Sequence, residues 1–120
     1  MMDLNETLKI LSSPMRRMVL TWLKDPQASF QGYSQIYDFS VYGVCASHIQ
    51  DKAGLSQPAT SLCLKALSDH GLVVATKVGK WTYYKRQEQQ LAATLTDLLH
   101  ELEVDAGLLQ MISPTSDTVA

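Results

Sequence analysis

The residues of this chain equipped for chemistry are two thiols, Cys45 and Cys63, three imidazoles, His48, His70 and His100, and a group of cations between Lys52 and Arg86. A thiol beside a histidine could act as a nucleophile, but that needs an oriented base and a turn that presents the sulfur, and neither cysteine has such a motif around it. Asp97 and His100 stand three apart in a helical pattern and so share a face, a weak start towards a metal site and short of a full ligand set. No metal and no cofactor are expected. The cations speak more clearly. Between residues 52 and 86, Lys52, Lys65, Lys77, Lys80, Lys85 and Arg86 face the single acid Asp69, a local charge of +5, while the rest of the chain carries −7. The net charge of −2 and pI near 5.8 argue against a nucleic-acid partner only when taken in total. Divided this way, they describe one basic face for a polyanion. The alternative for the lysines is a solvated strand edge that discourages pairing.

The elements that position these residues must fit within 120 residues, 46% of them hydrophobic, which is enough for one domain with a modest core. No run approaches the roughly 18 apolar residues of a membrane span. The start, MMDLNETLKI, lacks the basic and apolar regions of a secretory signal, so a cytoplasmic location is expected, with both thiols free.

Leu4, Leu8 and Leu11 form one helical stripe, and Ser13-Pro14 starts a second helix that runs to Lys24, before Asp25-Pro26. Gln27 to Tyr42 has no sustained period and reads as a long loop. It holds Phe30, Tyr33, Tyr37, Phe39 and Tyr42, more aromatic residues than a disordered linker carries, so it should pack against something. A short helix is expected from Val44 to Gly54, and another from Ser56 and Pro58 to Gly71. Leu72–Lys77 and Trp81–Lys85 around Gly79-Lys80 read as a β-hairpin. A last helix from Glu88 places Leu91, Leu95, Leu98 and Leu102 on a narrow seam. Residues 1–112 are thus expected to form the domain, with 113–120 a disordered tail.

This order predicts a mainly α fold of about five helices with a β-hairpin wing, a winged helix-turn-helix. In such a motif the second helix enters the major groove of duplex DNA and the hairpin follows the flanking backbone. The residues expected to meet DNA are Ser56, Gln57, Pro58, Thr60, Ser61 and Lys65 on the helix, with Lys77, Lys80, Lys85 and Arg86 on the hairpin. Gln57 carries the paired donor and acceptor that can read adenine.

The segments LSSPMRRMVLTWL, GLSQPATSLCLKALSDHGLV and VGKWTYYKR resemble the ArsR/SmtB family of bacterial winged-helix repressors over roughly residues 5 to 105. The resemblance implies a homodimer through the first and last helices, with Leu4, Leu8, Leu11, Leu91, Leu95, Leu98 and Leu102 at the interface. It further implies binding to an inverted-repeat operator and release by an effector. The alternative for the leucine seam is protomer core.

Departures from the family pattern bear on the effector. The arsenic-sensing branch has a cysteine-x-cysteine box where this chain has Cys45 and Ser47, and Asp97 with His100 lies one residue out of the zinc-sensing register. Neither arsenic nor zinc is therefore expected as effector. Leu62 and Cys63 replace basic residues common in the recognition helix of relatives; Cys63 reads as a small buried hydrophobe, or else as a redox sensor. The 27–42 segment is roughly a dozen residues longer than its counterpart in the metal sensors. Trp22, Phe30, Tyr33, Tyr37, Phe39 and Tyr42 form a candidate effector pocket there, or else they cap the core. A competing function is a winged-helix protein-interaction module without DNA binding, and a thiol enzyme stands third.

Overall fold

The computed structural model describes residues 3–112, so the expected tail at 113–120 lies outside the described residues. Helix α1 (Leu4–Leu11) starts where the Asp3 carboxylate accepts the Asn5 amide, and α2 (Pro14–Lys24) starts where Ser13 Oγ accepts the Arg16 amide. Both helices occupy the predicted residues. In α2 the spacing of Val19, Leu20 and Leu23 buries one stripe in the core, with Met15 and Trp22 packed partly against it.

The segment expected to be a loop contains two single-turn helices, α3 (Pro26–Ser29) and α4 (Phe39–Tyr42). Each is nucleated by an aspartate: Asp25 accepts the Ala28 amide and Asp38 accepts the Ser40 amide. The helix expected from Val44 begins only at Ala46, because Val44–Cys45 is a short strand, β1, paired antiparallel with Tyr84 and Tyr83. Gln35 explains why so short a strand holds. Its side-chain oxygen accepts the Cys45 amide at 2.9 Å and its Nε2 donates to the Gly43 and Tyr37 carbonyls at 2.9 Å each, so an amide side chain pairs the open sheet edge.

Helix α5 (Ala46–Ala53) closes at Gly54, and α6 (Gln57–Asp69) opens under the Ser56 cap, giving the tight turn of a helix-turn-helix. At the end of α6 the Leu72 amide bonds the Leu67 carbonyl and the Gly71 amide bonds that of Ser68, a Schellman stop. His70 Nδ1 lies 2.9 Å from the Ala66 carbonyl, the helix-end role its position suggests. Strands β2 (Val73–Val78) and β3 (Trp81–Arg86) form the hairpin, with Val78 opposite Trp81, so the sheet has three strands in the order β1-β3-β2. Gly79 alone at the tip has positive φ, 62°, the type II′ geometry that suits a two-residue turn.

Helix α7 (Glu88–Glu101) ends earlier than the leucine pattern suggests, with Leu102 as its C-cap, and a further helix α8 (Ala106–Ile112) follows. Among the described residues there are thus eight helical segments rather than about five. The core lies where α2, α5, α6 and the sheet meet, centred on Val19, Ile49, Leu64, Leu67, Leu72 and Tyr83.

Candidate nucleic-acid interface

Helix α6 is two-sided. Thr60, Cys63, Leu64 and Leu67 turn into the core, which leaves Gln57, Pro58, Ser61, Leu62 and Lys65 on the outer face. Gln57 and Ser61 share an open cleft of about 330 Å³ with Lys80, Trp81 and Thr82 of the hairpin, so the first turns of α6 and the hairpin tip look onto one space. Ser56 Oγ is occupied in capping, accepting the Ala59 amide at 3.2 Å.

The cations divide by position. Lys77 and Lys80 are exposed at the distal part of the hairpin, with Lys80 Nζ 5.3 Å from the Trp81 ring centre. Lys65 pairs with Asp69 at 2.9 Å, an exposed contact that an anion can replace at little cost. Lys52 lies over the Trp22 and Phe30 rings at 5.1 and 5.7 Å, a cation–π contact that holds it against the core.

Three residues expected to face DNA also make contacts within the protomer. Thr60 is 4% exposed on the core-facing side of α6, and its hydroxyl donates to the Ser56 carbonyl at 2.9 Å. Arg86 is withdrawn at the hairpin base. One terminal nitrogen donates to the Leu20 carbonyl at 3.1 Å, and Nε lies 2.9 Å from Glu88 Oε2, an ion pair not aligned as a hydrogen bond. Lys85, also at the base, donates to the Ser40 carbonyl at 2.9 Å. Trp81 was missed by reading charge alone; an exposed aromatic residue immediately after the Gly79-Lys80 turn was the available signal.

The aromatic residues of the 27–42 segment form two clusters. Phe30, 1% exposed, packs edge-on against Trp22 and Tyr33 and tilts onto Phe39, and both phenylalanines belong to the core. Tyr37 and Tyr42 pack on Tyr83 instead. This arrangement is that of a core cap; Tyr33, Tyr37 and Phe39 also border a shallow recess beside Gln35.

Both cysteines are free and buried. Burial pushes the Cys63 thiol up, against a smaller opposing pull from the Arg16 guanidinium, so little of it is thiolate at neutral pH. Cys45 Sγ sits 3.3 Å from Ser47 Oγ. Among the described residues no three His, Cys, Asp or Glu side chains cluster as metal ligands, and no helix is long and apolar enough to cross a membrane.

The helix-turn-helix followed by a hairpin and a long helix defines a winged-helix protein. The chain is 40% identical to YbzH of Bacillus subtilis, named as an HTH-type transcriptional regulator, over 94 residues that span 78% of this chain and 92% of that protein. It is 41% identical over 58 residues, 47% of this chain and 49% of the other, to ArsR2 of Halobacterium salinarum, named for an arsenical resistance operon repressor. In fold it is similar to an ArsR family transcriptional regulator with a TM-score of 0.63 at 20% identity, over 84% of this chain and 93% of that one. An ArsR-like regulator from Rhodococcus sp. RHA1 gives 0.59 at 23% identity, over 92% and 93%. No family model matches the chain. The chain belongs to the HTH-type transcriptional regulators, a non-enzymatic class, and its fold is that of ArsR family regulators.

Proposed function

We propose that the protein is a homodimeric repressor that binds an inverted-repeat operator in duplex DNA and releases it when an effector binds. The observation that carries this reading is the cleft shared by Gln57 and Ser61 of α6 with Lys80 and Trp81 of the hairpin. It allows base edges and backbone to be met by one side of the protomer. Gln57 and Ser61 read base edges, Leu62, 69% exposed, offers an apolar contact to a thymine methyl, and Lys65, Lys77 and Lys80 neutralise phosphates.

The dimer brings together α1 and α7, which already pack on each other within the protomer. Leu95 and Leu102, 52% and 60% exposed, then find partners on the second copy, whereas Leu91 is buried in the protomer's own core. The reading is tested by selecting bound fragments from random duplexes and measuring affinity against salt. A palindromic consensus with steep salt dependence is expected. No duplex binding even at low salt would overturn it and favour a protein-interaction module.

A further inference from the structure

We propose that the hollow bounded by the end of α2, α4, β3 and the start of α7 is a binding site for a small amphipathic organic acid, a carboxylate carried on an aromatic or alicyclic body. The hollow measures about 330 Å³, within the size range of small-molecule sites. Leu23, Phe39, Val44 and Tyr84 give it an apolar wall, which suits a hydrocarbon body and does not suit a bare hydrated ion.

Its rim carries Lys24, Lys85 and Arg86 against the single carboxylate of Glu88. Glu88 is shared between two of them: Oε1 lies 3.5 Å from Lys24 Nζ and Oε2 lies 2.9 Å from Arg86 Nε. Among the described residues Lys85 is held only by the neutral Ser40 carbonyl at 2.9 Å and has no carboxylate partner at the edge of the apolar hollow. A ligand carboxylate placed at Lys85, with Lys24 as its second cation, lowers the excess charge of the rim from +2 to +1 while the body rests on Phe39 and Tyr84. The hollow shares only Tyr84 with the α6–hairpin cleft, so it is a second site and stands apart from the DNA reading.

The test uses the intact ¹⁵N-labelled protein without DNA, titrated with 2-naphthoate. Saturable shifts of the Ser40, Gly43 and Lys85 amides are expected. The uncharged 2-naphthylmethanol should bind about tenfold more weakly, and Lys85→Met should weaken naphthoate about tenfold while leaving the alcohol unchanged. The proposal is overturned by unsaturable or scattered shifts, by equal affinities for acid and alcohol, or by inorganic phosphate moving the same amides as strongly. Because no duplex is present, a failure here leaves the DNA reading intact, and a failure to bind duplex leaves this site intact.

Discussion

Tyr33 donates its phenolic hydrogen to Asp51 Oδ2 across 2.6 Å and so ties the aromatic segment to α5, the helix that precedes the helix-turn-helix turn. On the same helix the His48 ring packs tilted against the Tyr33 ring at 5.0 Å, and its Nε2 donates to the Ser34 carbonyl at 2.8 Å. The 27–42 segment is thus anchored at two points to the element that precedes α6.

This anchor has a pH signature. The hydrogen bond to Asp51 holds the Tyr33 phenol above its ordinary value of 10.0, with burial and the Asp51 charge adding to the effect. The folded state therefore favours the protonated phenol. That stabilisation is complete below the ordinary phenol value and is lost as pH rises through the higher folded-state value. Tyr33→Phe should remove one late-titrating phenol from an ultraviolet tyrosinate titration. It should also make the fall of the urea midpoint at alkaline pH shallower. A titration identical to the parent protein's would refute the coupling.

Gly43 supplies a sharper test of the sheet edge. Its φ is 93°, and a Cβ there would lie 2.0 Å from the Tyr84 carbonyl oxygen, which is backbone and unable to move aside without opening the β1–β3 pairing. Gly43→Ala should cost about 3 kcal/mol or more. At Gly32, φ 87°, nothing lies within 4 Å of the same atom, so Gly32→Ala should cost only the left-handed strain of about 1–2 kcal/mol. Urea denaturation of both variants decides the matter; equal losses would show that strain alone, and not contact with Tyr84, governs Gly43.

The helix starts at Ser13-Pro14 and Ser56, and the hairpin turn at Gly79, were legible because caps and turns depend on a few adjacent residues. Strand β1 was not, since it exists through Gln35 on one side and Tyr84 on the other, partners that no local period reveals. The charge of Arg86 was legible as a cation, but its Leu20 carbonyl partner lies 66 residues away in sequence, a contact that no local pattern reveals. The leucine stripe of α7 divides within the protomer, Leu91 buried and Leu95 and Leu102 exposed, a division that a helical period does not carry because it names no partner.

The division of the hairpin cations makes the next prediction. Lys80→Ala should weaken binding to all duplexes alike and reduce the salt slope by about one. Arg86→Ala should instead lower stability, since it removes the tie between β3, the Leu20 carbonyl and Glu88. Salt-dependent binding measured beside thermal melting separates the two. Equal losses of affinity at matched stability would return Arg86 to the DNA-facing set.

Gln57 should behave differently from any lysine. Its exposed amide on the first turn of α6 can pair with the two hydrogen-bonding atoms of one adenine edge, so Gln57→Ala should relax the preference at one base position of each half-site, by about 1–3 kcal/mol. Repeating the duplex selection with the variant reads this directly. A uniform loss at every position would mean that Gln57 meets only backbone.

Leu91 and Leu95 lie one turn apart on α7 and should part company when changed. Leu91 is 9% exposed within the protomer core, so Leu91→Ala should cost about 2–4 kcal/mol of stability. Leu95 is 52% exposed, and Leu95→Glu should leave the folded protomer intact while placing a charge in the proposed dimer face. Sedimentation should then show monomers, and operator affinity should fall steeply because the two half-sites are no longer engaged by one linked pair of recognition helices. A Leu95→Glu protein that remains dimeric would place the contact between copies on another face, and with it the spacing of the half-sites.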